Sequence, residues 1–363
     1  MLEGALVYGG VRVLLVDPAG FTTQYDHELA AALAQAGADV ELITSRFRFG
    51  DAPQPAGYRR NELFYPLSSR LFHRSRLRLP LRALEHPLGH ARLRRREADV
   101  IHVQWLAAPR LDAHLLRLVR PSVLTAHDPL PRRAASRPDA WRRLVERFDR
   151  VVVHSEWGRD ELTRLGVAAE RIRLIPHPVF RSEPERVDDG RTLLCLGVIR
   201  AYKGLGDAIE VARRVGARLL VAGDPLDPVD AHRAAAGDLA EWRLGYLPEA
   251  ELDRALGEAT LALFPYRAEL AQLDQSGAVL RALGAGVPAV AYDAGGIAEP
   301  VRRFAAGRVV TGGDLDALCE AVAGLLESPA ALEEARAGAR RARDELTWEA
   351  AAAAHLDVYR ELA

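Results

Sequence analysis

The chain has almost no lysine: 48 arginines carry its positive charge, and Lys203 is the one exception. Cysteine is nearly absent too. Cys195 and Cys319 stand far apart, which excludes a disulfide framework or a cysteine-held zinc centre. Both fall in apolar segments, where a free cysteine is a small buried hydrophobe. No window reaches the roughly 18 uninterrupted apolar residues of a membrane-crossing helix. The first fifteen residues lack a basic start, and Arg12 breaks their apolar run, so no secretory signal is expected. A reducing cytoplasm is the expected compartment. The formal net charge of −1 gives no global attraction to nucleic acid, and none is expected as a partner.

Several catalytic signatures are missing as well. There is no G-x-x-x-x-G-K-S/T phosphate loop, no G-x-S-x-G elbow and no H-E-x-x-H zinc helix. The first apolar strand runs into Asp17-Pro18-Ala19-Gly20, which lacks the G-x-G-x-x-G spacing of a dinucleotide fold. No metal ligand set is expected.

What is present is alternation. Short apolar runs at 11–16, 40–44, 100–103, 123–125, 151–153 and 172–175 read as strands. Helical patterns at 25–36 and 157–165 separate some of them, each closed by a glycine, Gly37 and Gly166. A polar stretch follows, then strands at 192–196, 219–222, 261–264 and 289–291. Helices are read at 206–215, 249–258, 277–285 and 315–326. Alternating strands and helices imply parallel sheets covered on both faces. A length of 363 residues suits two such domains. The expected fold is α/β: two Rossmann-like, doubly wound domains facing across a cleft. The first covers 1–182, a linker 183–191 and the second 192–345, with a terminal helix at 346–363 returning to the first. One segment, 59–96, is rich in arginine and leucine. It reads either as a basic amphipathic surface for anionic lipid or glycan, or as a solvated helical face.

Candidate chemistry clusters in the second half. Lys203 ends the run Gly197-Val198-Ile199-Arg200-Ala201-Tyr202-Lys203, after a strand and before a helix. An ammonium on a thin stem reaches where a guanidinium does not fit, and two cations at a strand's carboxyl end suit a diphosphate. Ser276 and Gly277 open a helix, where backbone N–H groups attract anions; capping alone is the plainer role for Ser276. Gly295 and Gly296 follow another strand and permit close approach of a ligand to the backbone.

These segments, taken in order, resemble the family 4 glycosyltransferases, retaining enzymes of the GT-B fold. The resemblance is carried by G-V-I-R-A-Y-K-G (197–204), V-A-G-D (221–224), F-P-Y-R (264–267), Q-S-G (275–277) and A-G-V-P-A-V-A-Y-D-A-G-G-I-A-E (285–299). Earlier matches are D-V-I-H-V-Q-W, T-A-H-D, V-V-V-H-S-E-W and L-I-P-H-P-V-F. The resemblance implies that Arg200 and Lys203 hold the donor diphosphate, making a catalytic metal unnecessary. It places Gly197, Gly223, Asp224, Gly295, Gly296 and Glu299 on the donor side, although a helix-start carboxylate is the plainer role for Glu299. Gly245, Tyr246 and Leu247 stand where the family cradles the nucleobase. His127 stands where a first-domain histidine approaches the sugar, and Gly20 and Thr22 lie in the turn that meets the sugar phosphate or acceptor.

One departure stands out. Where the family commonly has two glutamates eight positions apart, this chain has Leu273 and Arg281. Arg281 cannot accept hydrogen bonds from a ribose. Asp274 and Glu269 are the nearest carboxylates to the first position. The expected activity is transfer of a hexosyl unit, with retention, from a nucleoside-diphosphate sugar (UDP- or GDP-sugar favoured) to an acceptor hydroxyl. Expected acceptors are a glycan, a lipid-linked glycan or a small molecule, and no cofactor is expected. A nucleotide-sugar epimerase of the same architecture and a non-catalytic sugar-nucleotide binder are the alternatives.

Overall fold

The computed structural model describes residues 10–71, 78–116, 118, 121–131, 134–268 and 274–362. The chain divides into two compact units, 1–176 with 348–363, and 177–347.

The first unit is built on β1 (Arg12–Asp17), β2 (Asp39–Ser45), β3 (Arg59–Phe64), β4 (Val100–Val103), β5 (Ser122–Thr125), β6 (Arg150–Val153) and β7 (Ile172–Leu174). They form one sheet in the order β3-β2-β1-β4-β5-β6-β7, with every neighbour parallel. Its helices are α1 (Thr23–Gln35), α2 (Ser68–Leu71), α3 (Arg78–Leu93), α4 (Pro109–Leu115), α5 (Pro138–Val145) and α6 (Glu156–Arg164). The second unit holds β8 (Thr192–Leu196), β9 (Arg218–Gly223), β10 (Ala240–Leu244), β11 (Leu261–Phe264), β12 (Ala289–Tyr292) and β13 (Gly307–Val310). Their order is β10-β9-β8-β11-β12-β13, again all parallel. Its helices are α7 (Leu205–Val215), α8 (Asp230–Ala236), α9 (Glu249–Glu258), α10 (Gly277–Gly284), α11 (Glu299–Arg303), α12 (Leu315–Glu327) and α13 (Pro329–Glu345). The last helix, α14 (Trp348–Arg360), belongs to the first unit.

The chemistry of each strand follows its place. Central strands are covered on both faces and are largely apolar: every residue of β4, β11 and β12 is buried, His102 of β4 among them. Edge strands β3, β10 and β13 mix arginine or glutamate with apolar residues and are only partly buried. The arginine-rich segment 59–96 is therefore not one amphipathic surface. It is an edge strand, a short turn of helix and α3, with 72–77 outside the described residues. Leu63, Phe64 and Leu93 enter the core, whereas Leu79, Leu84 and Leu88 are exposed. Several of its arginines are taken up locally, Arg59 by Asp39 at 2.8 Å and Arg96 by Glu41 at 3.3 Å.

The stretch read as a linker is bound along the second unit. Val187 N–H donates to Gly257 O at 3.0 Å, and Arg186 donates to the Leu256 and Ala259 carbonyls. Asp188 accepts from Arg186 and from Arg336 of α13.

Helix α14 joins the first unit through a buried polar seam. Tyr359 Oη lies 2.6 Å from His102 Nδ1, and His102 Nε2 lies 2.7 Å from Thr125 Oγ1. Arg150 and Arg173 of β6 and β7 both pair with Glu361 just past the helix. His355 of α14 is fully buried, and neither ring nitrogen has a hydrogen-bond partner among the described residues. Burial drives its pKa down to about 3 and that of His154 to about 4. A histidine held neutral in the fold but free to protonate when unfolded contributes stability above pH 6.5 that is lost as pH falls towards the folded value. The loss at pH 5 is about 2 kcal/mol for such a group. Replacing His355 by leucine removes this penalty. The stability of His355→Leu relative to the native chain should therefore rise by about 2 kcal/mol between pH 7.5 and pH 5.0, read by urea denaturation at both values. An unchanged difference would show that His355 is not held neutral.

Candidate active site

In an open parallel sheet, the strand order reverses at one point, and the loops leaving the two strands there diverge to leave a crevice. The first unit reverses between β1 and β4, the second between β8 and β11. Gly20 and Thr22 follow β1, Gly197, Arg200 and Lys203 follow β8, and Asp274, Ser276 and Gly277 follow β11; the other described candidates follow β5, β10 and β12 or lie at the end of β9.

In the second unit, β8 ends in Gly197, whose backbone is left-handed (φ 98°). Gly197 N–H donates to Ala222 O, and a Cβ at Gly223 would collide with the Gly197 carbonyl. The chain then winds through a 3-10 turn, Ala201–Lys203, to Gly204, at φ 68°. A Cβ on Gly204 would strike the carbonyl of Pro265, on the loop after β11. Glycine at 204 thus lets the two loops touch. Arg267 N–H donates to Tyr202 O at 2.8 Å and closes the contact.

Across this seam, Lys203 Nζ donates to Tyr266 Oη at 2.6 Å. The phenol oxygen lies 3.1 Å from Ser276 Oγ. An ammonium only donates, so the arrangement that uses each donor once sends the phenol hydrogen to Ser276. Two N–H groups of Lys203 remain, along with the Ser276 hydrogen. Ser276 occupies the N-cap position of α10 but makes no side-chain cap; its hydroxyl belongs to this chain of contacts. Burial lowers the Lys203 pKa, partly opposed by Tyr202 and Cys195. The same burial pushes the Cys195 thiol up to about 12, so this cysteine is inert lining. Cys195, Gly197, Ile199, Lys203, Leu205 and Tyr266 border a pocket of about 310 Å³ open to solvent. Arg200 is exposed at the start of the turn and has no ion-pair partner among the described residues.

The other candidates surround this point unequally. Gln275 Nε2 donates to Gly296 O at 3.2 Å, tying the start of α10 to the loop after β12. Gly295 is left-handed (φ 64°), and Glu299 begins α11. Asp224 O accepts from Ile199 N–H, which fixes the β8 loop from the other side. Gly245 N–H donates to Gly223 O; Tyr246 is exposed, and Leu247 packs on the core. Gly277 forms the first turn of α10. Asp274 is fully buried. Glu269 lies outside the described residues, as does Leu273.

Arg281 is occupied: it pairs with Glu249 of α9 at 2.5 Å, and its guanidinium lies 5.2 Å from the Phe180 ring centroid. A carboxylate thus stands beside position 281, supplied by α9 rather than α10. The signal was a charge reversal at 281 with glutamates opening the next helix back, at 249 and 251.

In the first unit, Asp17 ends β1 buried and accepts backbone N–H groups of Ala19, Gly20, Phe21 and Thr22 at 2.5–3.2 Å. This carboxylate builds the Gly20 turn. Beside it, burial and the Asp17 charge raise Asp26 well above the ordinary carboxylate range. Thr22 Oγ1 accepts from Trp105 Nε1 at 2.9 Å, a bond from the β1 loop to the β4 loop. His127 follows β5. Its ring stacks on Trp105 (5.2 Å, 12°) and meets Tyr25 edge-on, and its Nε2 lies 3.1 Å from Gln104 Oε1. Gln104 and Trp105 were legible as part of a motif, but not as the pair that orients His127.

Comparison with known proteins bears on the family and the fold. Residues 23–182 match the model of Glycosyltransferase Family 4, and 190–328 match that of Glycosyl transferases group 1. The chain is 27% identical over 379 residues to a glycogen synthase of Mycobacterium tuberculosis, covering 92% of this chain and 89% of the relative. Among solved structures it resembles sucrose-phosphate synthase from Thermosynechococcus elongatus (TM-score 0.78, 20% identity, 97% and 99% of the two chains). It also resembles Anabaena HepE in complex with UDP and glucose (TM-score 0.70, 16% identity, 97% and 100%). These neighbours share the GT-B fold.

The Lys203 site gives a direct expectation. Lys203→Ala should lower kcat by about 10²-fold or more, the scale of losing one preorganised charge contact. Lys203→Arg should be similarly damaging, because a planar guanidinium fork does not reproduce the short single-point contact of the ammonium with the Tyr266 hydroxyl. Steady-state turnover of Lys203→Arg within threefold of the native chain would refute the need for an ammonium.

Proposed function

The chain is a glycosyltransferase, a hexosyltransferase with a family 4 domain followed by a group 1 domain, and we propose that it transfers a hexosyl unit from a nucleoside-diphosphate sugar with retention of configuration. The observation that carries the reading is the Lys203–Tyr266–Ser276 chain at the switch point of the second sheet, with exposed Arg200 beside it. The ammonium, the guanidinium and the amides opening α10 neutralise charge that grows on the departing diphosphate. The sugar–oxygen bond breaks with its electron pair going to the diphosphate. The acceptor oxygen bonds to the anomeric carbon, and its proton passes to the leaving phosphate on the same face. Protein cations do the work a divalent metal does elsewhere. Added Mg²⁺ or Mn²⁺ should therefore change turnover less than twofold.

UDP-sugars are the favoured donors, GDP-sugars the second choice. The UDP-bound neighbour supports the first of these. In our reading Gly245, Tyr246 and Leu247 receive the base, and Glu249, held by Arg281, stands in for the absent glutamate towards the ribose. His127, oriented by Trp105 and Gln104, serves the sugar from the first domain. A glycan, a lipid-linked glycan or a small alcohol is the acceptor. The exposed Leu79, Leu84 and Leu88 of α3, with exposed Arg92, Arg94 and Arg95 beyond them, support contact with an anionic membrane surface. Co-flotation with vesicles containing anionic lipid, lost in high salt, would support that contact; equal flotation with neutral vesicles would oppose it.

Thermal shift across UDP-, GDP-, ADP- and dTDP-sugars should single out one nucleotide, with UDP giving the largest rise in Tm. NMR of the product made from that α-linked donor should show an α-linkage. A β-linked product would overturn retention, and a flat panel would overturn the assignment of the donor site.

A further inference from the structure

Away from these loops, the first unit gathers three potential metal ligands whose atoms all face one point. His86 and His90 stand one turn apart on α3, so both project from the same face. Asp112 comes from α4. All three side chains are buried. His86 Nε2 lies 2.6 Å from Asp112 Oδ1, His90 Nε2 lies 3.1 Å from the same oxygen, and the two nitrogens are 3.2 Å apart. We propose that His86, His90 and Asp112 form a zinc site that joins α3 to α4, distinct from the transferase site.

Geometry favours a cation. A point about 2.0–2.1 Å from all three atoms, the length of zinc bonds to imidazole nitrogen and carboxylate oxygen, exists roughly 1 Å off their plane. Two edges of the triangle, 3.1 and 3.2 Å, are near the ~3.3 Å of a zinc tetrahedron with such bonds, and the 2.6 Å edge between His86 Nε2 and Asp112 Oδ1 has to open by about 0.7 Å, leaving the fourth position for water.

The surroundings orient each ligand. Tyr65 Oη lies 2.7 Å from His86 Nδ1, which leaves Nε2 directed inward. Such a contact to the distal imidazole nitrogen is what fixes the tautomer of a metal-bound histidine. Asp112 Oδ2 accepts from Ala108 N–H at 2.8 Å, so Oδ1 is the oxygen left for the ion. Between the histidines, a Cβ at Gly89 would collide with the Phe64 ring, so α3 sits tightly on the β3 core. Without a cation, Asp112 Oδ1 must take both N–H groups while the two ring nitrogens crowd each other. With a cation, the three lone pairs meet on positive charge.

The test uses untagged protein, stripped with chelator, reloaded with Zn²⁺ and dialysed, with metal measured by plasma mass spectrometry. The native chain should keep about one zinc per molecule, and stripping should lower its Tm. His90→Gln should keep at least tenfold less zinc, and its Tm should ignore chelator. Co²⁺ loading of the native chain should give the visible d–d bands of a four-coordinate site, a readout that stands even where a variant fails to fold. Zinc below about 0.1 per chain after loading, or an absent d–d spectrum, would overturn the site. Equal zinc in His90→Gln would mean an adventitious ion only and overturn it as well.

Discussion

The bond from Lys203 to Tyr266 is the contact around which the candidate site of the second unit is arranged. It spans the two loops that leave β8 and β11, where the strand order of the sheet reverses. Topology alone opens a crevice there. The glycines at 197, 204 and 223 let three backbone segments come close enough for a single ammonium to reach the phenol. An arginine there would present a broad planar fork in place of a point charge. This accounts for one lysine surviving among 48 arginines in a way that composition does not.

The first unit uses the same geometry with different chemistry. Its reversal, between β1 and β4, is bridged by Trp105 donating to Thr22, and a buried aspartate rather than a cation organises the turn. Trp105 then carries His127 on its face. One unit therefore presents positive charge and amides, suited to a phosphate, and the other an imidazole on an aromatic shelf, suited to a sugar. Burial that leaves His102, His154 and His355 neutral keeps added positive charge out of the seam that holds α14.

The central strands were legible because burial on both faces forces largely apolar runs; Leu261–Phe264 reads plainly, and so does Val100–Val103 in spite of its buried His102. Among the edge strands, β7 was read within 172–175, but β3, β10 and β13 were not. β3 opens with a polar block, Arg59 to Glu62, and β10 alternates over only 5 residues, which does not separate it from a polar loop or helix face. The Lys203 loop was legible from its glycines and its lone ammonium, but Tyr266 as the partner was not, because it lies 63 positions away and only the sheet order joins them. Ser276 read as part of an anion site at a helix start, with plain capping as the alternative; its hydroxyl makes no cap and turns towards Tyr266. His86 and His90 were passed over: an H-x-x-x-H pair without the zinc-protease glutamate carries little weight until Asp112 is seen beside it. Glu249 was missed because its relation to Arg281 exists only across α9 and α10.

Because the chain has one lysine, isotopic labelling of lysine yields a single side-chain signal, and that signal reports Lys203 directly. Following it by NMR while UDP-sugar is added tests whether the ammonium holds the diphosphate. Saturating donor should shift the resonance and raise the Lys203 pKa back towards or above its ordinary value, since phosphate charge stabilises the protonated form. A resonance and titration that stay the same while the donor is bound would contradict the assignment of Lys203 to the diphosphate.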